Sequence, residues 1–347
     1  LTYSLIRYYT YNEKKNPYEM IVVQPNIDPY NEKFDGMSEM KQLEILLNLA
    51  DQLVDENTDF VVCPETALPA GFWEEDTEDV NCIEIIKKYL NDHPNLRFVI
   101  GASTFNQFDE GEELSVTARH KQVYETDDLG NQYPVDYYYD AFNSAIQIEK
   151  DKIQIYHKSK LVLGVEMMPY PEIFSLLGDF AVNLGGTSGG LGVQKERSVF
   201  TSPEDTIKIG VPVCYESIFG QYFSGWVTNG AHFIFVITND GWWEDTPGYR
   251  QHLSFSALRA IETRRSIARS ANTGISCFIN QRGEILQATD WWVRTAIKGT
   301  LNANDKITFY TKYGDYLGRI AVFLSVLILL YSLVKNILYK RKNKLAS

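Results

Sequence analysis

An apolar run near the C-terminus, Leu317 to Leu338, constrains the fold of this sequence more than any other feature. It reads LGRIAVFLSVLILLYSLVKNIL, with Arg319 and Lys335 near its ends and no charge between them. A helix of roughly 20 predominantly apolar residues spans the hydrocarbon core of a bilayer. Long basic side chains near the ends of such a helix reach the polar interfaces. The run therefore predicts a transmembrane helix over 317–338, with a buried core helix as the alternative.

The basic cluster that follows this run favours the transmembrane helix. Residues 339–344 read YKRKNK. Because basic flanking segments stay on the cytoplasmic side of a membrane, residues 339–347 are expected to form a cytoplasmic tail. Everything before Leu317 is then expected on the opposite, extracytoplasmic side.

The rest of the chain has the composition of a globular protein. Of its 347 residues, 44% are hydrophobic and 22% are charged. The net charge of −12 and the lack of a basic stripe argue against nucleic-acid binding. Residues 1–19 do not resemble a complete folding unit and are expected to be a remnant that follows missing transmembrane helices. Residues 301–316 are expected to link the globular part to the C-terminal helix.

The four cysteines, at positions 63, 82, 214 and 277, fit neither a zinc site nor a disulfide scaffold. No CxxC pair occurs, and no histidine lies at ligand spacing from a cysteine, so no metal site is predicted. Cys63, Cys82 and Cys277 are expected to be small apolar core residues. Whether these three are free or paired is left open.

Apolar runs of strand length alternate with amphipathic helical patterns along the chain. Met20–Gln24 predicts a strand, Ser38 can cap a helix, and the next strand ends near Cys63. Further strands are predicted by two apolar runs, Ile207–Cys214 and Phe233–Thr238. The glycine-rich segment 185–192 lacks the spacing of a phosphate-binding loop and is expected to be mobile. These patterns predict one α/β domain with a mixed sheet covered by helices.

Three reactive side chains share one context, the position just after an apolar strand. Glu65 follows FVVCP, Lys158 follows IQIYH, and Cys214 follows IGVPV. Since ligands bind at the carboxyl ends of strands in α/β sheets, the three can converge on one nucleophilic site. A cysteine attacks as the thiolate, so Glu65 would accept its proton and Lys158 would stabilise the anions that form. Taken singly, a cysteine after a buried strand is usually a core residue, and a lone glutamate or lysine is usually a surface residue.

The segments around these residues read VCPETALP, YHKSKLVLGVE and VPVCYES, in that order. They resemble the motifs of the nitrilase, or carbon–nitrogen hydrolase, superfamily. The resemblance covers about Met20 to Gly299 and implies a nitrilase-like αββα sandwich over residues 20–300. It also implies that Glu65, Lys158 and Cys214 form a catalytic triad.

Further segments resemble one branch of that superfamily, the apolipoprotein N-acyltransferases. They include VVQPNIDPYNEKF near the start and QHLSFSALRAIETRRSIARSANTGIS near the end. The resemblance implies supporting roles for Glu166, Tyr215 and Glu216. It also implies a weak substrate-binding match at Phe34, where well-known members carry tryptophan. The turn before Glu166 reads Leu-Gly-Val instead of the frequent Pro-Phe-Gly.

The branch implies an enzyme of the bacterial inner membrane that moves a fatty acyl chain from a phospholipid to the N-terminal amine of diacylglyceryl-modified apolipoproteins. The acyl chain would pass through a thioester on Cys214, with no metal or organic cofactor. Trp242 and Trp243 could lie at the membrane interface or cover acyl chains, and ordinary pocket packing is the alternative. A membrane-tethered amidase or nitrilase using water as acceptor, and an inactive lipoprotein-binding scaffold, are rival hypotheses.

Overall fold

The computed structural model of the chain describes residues 2–34, 36–126, 130–167, 190–203 and 205–346. The strands are β1 Pro17–Gln24, β2 Thr58–Val62, β3 Leu68–Trp73, β4 Arg97–Gln107, β5 Arg119–Thr126, β6 Gln132–Glu149, β7 Lys152–His157, β8 Phe200–Thr201, β9 Lys208–Gly210, β10 Phe233–Thr238, β11 Ser266–Ala271, β12 Cys277–Ile279, β13 Ile285–Ala288 and β14 Thr295–Asn302. The α-helices are α1 Thr2–Thr10, α2 Glu39–Asp51, α3 Asn81–Asp92, α4 Gly220–Thr228, α5 Pro247–Thr263, α6 Phe309–Tyr313 and α7 Tyr316–Ala346. Short 3-10 helices span Thr77–Asp79, Cys214–Ile218 and Asp240–Trp243.

Within the described residues these strands form two mixed sheets. The first has eight strands in the order β14-β1-β2-β4-β6-β5, with β3 paired to β4 and β7 paired to β6. The second has six strands in the order β13-β12-β11-β10-β9-β8. In both sheets the central pairs are parallel and the outer pairs are largely antiparallel. The chain is therefore an α/β protein, as the alternating pattern predicts.

Strand β1 shows why the layers stack as they do. Its alternate side chains point to opposite faces of the sheet, and both faces are buried. Met20 and Val22 pack towards the second sheet, in one core with Phe235 of β10. Ile21 and Val23 pack on the other face, in the core formed with helices α2 and α3. Helices α4 and α5 pack near the second sheet, so the order of layers is helix, sheet, sheet, helix.

The helix predicted after Ser38 begins where its capping chemistry places it. The Ser38 side chain accepts a hydrogen bond from the Lys41 backbone N–H at the start of α2.

The strand Phe233–Thr238 has the predicted bounds. The predicted strand Ile207–Cys214 is shorter than expected, because β9 ends at Gly210 and Cys214 begins a 3-10 helix. Val213 alone continues the parallel pairing, in a bridge with Ile237.

Two predictions concern the segments outside the sandwich. Residues 185–189 of the glycine-rich segment lie outside the described residues, and residues 190–192 belong to neither a helix nor a strand.

Helix α7 contains the apolar run near the C-terminus. Its stretch Tyr316–Arg341 is long and apolar enough to cross a membrane by length and composition, and its most apolar part is not buried by the rest of the chain. A buried core helix, the alternative, does not occur here.

Candidate functional site

Glu65 lies in a tight loop at the carboxyl end of β2. The loop is held against β4, because the Gly101 N–H donates to the Pro64 carbonyl at 3.1 Å. A β-carbon at Gly101 would lie 2.6 Å from Glu65 Cα and 2.5 Å from the Thr66 nitrogen. Only glycine allows this approach. The loop therefore fixes a buried carboxylate, 5% exposed, at the end of a central strand.

Lys158 follows β7 and makes direct contact with two carboxylates. Its Nζ donates to Glu65 Oε1 at 2.9 Å and to Glu166 Oε1 at 2.8 Å. Asn143 Nδ2 donates to the same two oxygens at 2.8 Å each. Burial lowers the pKa of Lys158, but the charges of Glu65 and Glu166 outweigh it and hold that pKa well above its ordinary value. The ammonium is therefore permanently charged at neutral pH.

The carboxyl group of Glu65 is kept ionised by its contacts with Lys158 and Asn143. Burial alone would raise its pKa, but the charge and hydrogen bond of Lys158 and the Asn143 amide lower it below the ordinary value. The second oxygen, Oε2, accepts a hydrogen bond from the Asn239 backbone N–H at 3.0 Å. Glu65 is therefore held in the ionised form that can accept a proton, although the same bonds reduce its strength as a base.

Cys214 begins a 3-10 helix with a left-handed backbone, φ 50°. A residue other than glycine adopts this backbone conformation only where the surrounding structure enforces it. Such strain is common at functional sites. Burial raises the pKa of the thiol well above its ordinary value; Glu65 raises it further, and Lys158 opposes both. The thiol of Cys214 therefore lies within electrostatic reach of both Glu65 and Lys158.

The supporting residues predicted from the resemblance occupy two kinds of position. Glu166 belongs to the Lys158 cluster, and its Oε2 accepts from the Val162 N–H at 2.8 Å. Glu216 is fully buried and connects the loops that contain Lys158 and Cys214, accepting from the Val213 N–H at 2.8 Å and from the Ser159 N–H at 2.7 Å. Its side chain therefore holds Lys158 and Cys214 in register. Tyr215 is half-buried, and its ring contacts Phe219.

The predicted aromatic residues lie outside the polar cluster. Phe34 stacks on Trp242 with ring centroids 6.5 Å apart, and Tyr30 meets the same ring edge-on at 5.2 Å. Trp242 is 45% exposed and Phe34 is 52% exposed. Trp243 is also exposed and lies beside Gly248. The aromatic rings of two separate loops thus form one exposed surface.

Lys33 is a residue of this site that the sequence pattern did not reveal. It precedes the exposed Phe34, yet it is buried and its Nζ donates to the Glu65 carbonyl at 2.8 Å. Burial lowers its pKa to about 8, against the opposing effects of Glu65 and Cys214. Nothing in the local sequence distinguishes Lys33 from a surface lysine, since its partners are distant along the chain. Asn143 and Asn239 were missed for the same reason.

This set of residues suits nucleophilic acyl chemistry. The charges of Glu65 and Glu166 balance those of Lys33 and Lys158, so a thiolate would add an uncompensated negative charge. Moving the thiol proton onto Glu65 leaves the total charge of the pocket unchanged. Attack by Cys214 coupled to proton transfer is therefore easier than prior ionisation of the thiol.

Curated proteins named apolipoprotein N-acyltransferase are similar to this chain in sequence. An apolipoprotein N-acyltransferase of Chlorobaculum tepidum is 30% identical over 320 residues, covering 91% of this chain and 57% of that protein. One of Thermotoga maritima is 32% identical over 207 residues, covering 59% of this chain and 40% of that protein. The chain therefore spans about half the length of the curated relatives it matches.

Solved structures and a family model identify the fold. Saccharomyces cerevisiae Nit3, a member of branch 10 of the nitrilase superfamily, matches with a TM-score of 0.54 at 14% identity, over 84% of this chain and 93% of that chain. An amidase from Nesterenkonia sp. matches with a TM-score of 0.53 at 13% identity, over 88% and 97%. Identities this low show a shared nitrilase-superfamily fold only. The family model described as carbon-nitrogen hydrolase matches residues 22–307. The chain belongs to the carbon-nitrogen hydrolase family.

Proposed function

We propose that this chain carries the catalytic domain of an N-acyltransferase that modifies bacterial lipoproteins. It would move a fatty acyl chain from a phospholipid to the N-terminal amine of a diacylglyceryl-modified cysteine. The observation that carries this proposal is the strained Cys214, which lies beside the Glu65–Lys158 ion pair in a chain that also contains a membrane-length apolar helix. Curated relatives named apolipoprotein N-acyltransferase support the choice of substrates.

In the first half-reaction Cys214 takes the acyl group. Glu65 accepts the thiol proton as the sulfur attacks the ester carbonyl of the phospholipid, and the carbonyl oxygen becomes an oxyanion. Lys158 stabilises this anion, together with backbone N–H groups near Cys214. The carbon–sulfur bond forms, the ester carbon–oxygen bond breaks, and Glu65 returns the proton to the departing lysophospholipid.

In the second half-reaction the lipoprotein amine takes the acyl group from the thioester. The amine nitrogen attacks the carbonyl carbon, and Glu65 accepts the proton that the nitrogen loses. The carbon–nitrogen bond forms, the carbon–sulfur bond breaks, and the proton passes from Glu65 to the sulfur. The site is then in its starting state, so Glu65, Lys158 and Cys214 serve both halves of the cycle.

The membrane helix explains how both substrates reach the site. Each substrate is anchored in a lipid layer, so a site tethered beside that layer meets their reactive groups without extracting them. The basic run 340–344 supports an orientation with the C-terminus in the cytoplasm and the catalytic domain on the extracytoplasmic face of the inner membrane. The exposed surface of Phe34, Trp242 and Trp243 is the candidate contact for acyl chains.

A labelling experiment tests this proposal. The chain is incubated in detergent with phospholipid carrying a labelled acyl chain, and Cys214→Ser is the control. We expect a hydroxylamine-sensitive label on Cys214 that moves to the amine of an added diacylglyceryl-cysteine peptide. Release of labelled free fatty acid in place of the amide would indicate a hydrolase that uses water. The absence of any label on Cys214 would contradict the mechanism.

A further inference from the structure

A second buried polar cluster contacts the backbone carbonyl of Cys214. Its members are Asp240, His252, Arg269 and Ser217, which come from four different elements. All four are buried, and none of them is more than 4% exposed. Burying a polar group without a hydrogen-bond partner costs free energy of folding. The partners of these four side chains therefore show which groups the cluster holds in place.

One end of the cluster is a charged pair that fixes the histidine ring. Arg269 Nη2 donates to Asp240 Oδ2 at 2.8 Å, and His252 Nδ1 lies 2.9 Å from Asp240 Oδ1. Burial would raise the pKa of Asp240, but Arg269 and His252 outweigh it and lower that pKa to about 2. His252 Nδ1 also lies 3.2 Å from Arg269 Nη2, so this nitrogen is packed between the carboxylate and the guanidinium group. The ring of His252 is thereby held in one orientation.

The other end of the cluster holds the backbone of the nucleophile. Ser217 Oγ donates to the Cys214 carbonyl oxygen at 2.8 Å. His252 Nε2 lies 3.1 Å from the same oxygen and 2.9 Å from Ser217 Oγ. A carbonyl oxygen only accepts hydrogen bonds, so the groups that hold it are the Ser217 hydroxyl and an N–H at His252 Nε2.

The hydrogen bonds to the Cys214 carbonyl fix the orientation of the Cys214–Tyr215 peptide plane. A trans peptide has its carbonyl and its N–H on opposite edges, and the described residues contain no cis peptide. Holding the Cys214 carbonyl towards His252 therefore turns the Tyr215 N–H the other way. Tyr215 is the second residue of the 3-10 helix, so its N–H has no acceptor within that helix, and among the described residues no backbone acceptor outside the helix is found for it. The left-handed φ of Cys214 has to be maintained for this orientation to persist.

We propose that His252 is a positioning residue, which acts with Asp240 and Ser217 to hold the Cys214–Tyr215 peptide so that its N–H faces the oxyanion formed at Cys214. This inference rests on the proposed function, since it concerns the acylation of Cys214. A misplaced N–H slows acylation, because it stabilises the oxyanion only when its hydrogen already points at the developing charge. The cluster supplies that rigidity without touching the substrate.

Two substitutions of His252 separate its two ring nitrogens. His252→Gln keeps an N–H donor near the position of Nε2, which faces the Cys214 carbonyl. His252→Asn keeps a donor only near Nδ1, which faces Asp240. Gln251→Asn, at the neighbouring exposed position of α5, is the matched control for placing asparagine in this helix. For each variant we would measure acylation of Cys214 by p-nitrophenyl butyrate, alkylation of Cys214 by iodoacetamide, and the melting temperature.

Acylation develops an oxyanion, whereas alkylation does not, so the ratio of the two rates reports on the N–H donor. We expect His252→Asn to slow acylation by about 10- to 100-fold with alkylation within about twofold of wild type, and His252→Gln to recover most of the loss. Equal loss in both reactions, or no loss in acylation, would overturn the proposal.

Ser217→Ala keeps the test decisive if the His252 variants do not fold. It removes the shorter bond to the Cys214 carbonyl, and we expect it to slow acylation more than alkylation by about 5- to 10-fold. Unchanged acylation in a folded Ser217→Ala protein would overturn the proposal. The activated ester makes this outcome independent of the natural donor. Acylation of wild type by p-nitrophenyl butyrate but not by phospholipid would defeat the proposed function and leave the role of His252 testable.

Discussion

The charged residues around Glu65 form a balanced set of two carboxylates and two ammonium groups. Lys158 is the central member, since it bonds both Glu65 and Glu166. A buried ion pair stabilises a fold only modestly, but removing one partner leaves the other charge buried and unpaired. The stability of the pocket and its reactivity therefore depend on the same ammonium group.

Lys158→Met tests this dependence. We expect no detectable acylation of Cys214 and a loss of about 3–5 kcal/mol in the free energy of unfolding, because two carboxylates lose their common partner. Lys150→Met, at an exposed turn before the same strand, is the control. Denaturant unfolding and thioester formation would be measured for both. A Lys158→Met protein with wild-type stability would contradict the role of the ion pair.

Lys33 predicts a change in stability with pH. Its pKa is about 8 in the folded protein, below the ordinary lysine value of 10.5. Between these two pH values the unfolded chain binds a proton that the folded chain has released, so stability from this group rises with pH. Relative to Lys33→Met, wild type should gain on the order of 3 kcal/mol between about pH 7 and pH 10.5.

The measurement is the difference in the free energy of unfolding between wild type and Lys33→Met across this range. Taking the difference removes the contributions of groups that titrate in the same way in both proteins. Lys88→Met, on the exposed face of α3, controls for the loss of a lysine charge. A difference that falls with rising pH would contradict the depressed pKa of Lys33.

At the scale of elements, the site depends on loops that are held together by Glu216. This side chain accepts bonds from the Val213 and Ser159 backbones and from the Tyr156 hydroxyl at 2.7 Å. The loop after β7 and the 3-10 helix of Cys214 therefore share one buried acceptor. The strained turn of Cys214 and the position of Lys158 are linked through it.

Glu216→Gln is predicted to disturb both loops. A glutamine amide places a donor against at least one backbone N–H, leaving a buried group without a partner at a cost of about 1–3 kcal/mol. We expect lower stability and slower acylation of Cys214. The exposed Glu56→Gln is the control, and thermal unfolding with thioester formation provides the measurements. Reduced stability without slower acylation would show that Glu216 does not align the loops.

At the scale of the whole molecule, α7 extends from the sandwich with its apolar side chains exposed. A continuous apolar surface of this size is unstable in water and marks a partner or a membrane. If its role is to bring the site to lipid, removing it should affect lipid substrates and spare soluble ones.

Truncation after Asp315 tests this role. We expect the truncated chain to stay in solution when the full chain binds phospholipid vesicles. Its acylation by p-nitrophenyl butyrate should remain within about threefold of wild type, while acylation from vesicle phospholipid should fall at least about 10-fold. Vesicle flotation and thioester formation provide the measurements. Equal use of vesicle phospholipid by both chains would contradict a tethering role.

The sequence alone determined the features that depend on neighbouring residues. The alternation of Met20 to Val23, the cap at Ser38 and the apolar run of α7 all predict observed elements. The motifs also indicated the nitrilase-like fold. These signals are local because a strand, a cap or a membrane helix is defined by side chains a few residues apart.

Only the tertiary structure decided which distant residues meet. Lys33 and Asn143 join Glu65 through contacts across 32 and 78 positions, and His252 reaches the Cys214 carbonyl across 38. The end of β9 at Gly210 was also not predictable, since the apolar residues after it stay buried although only Val213 among them still pairs with β10. Such contacts depend on how strands and helices pack, and a pattern read along the chain does not contain that information.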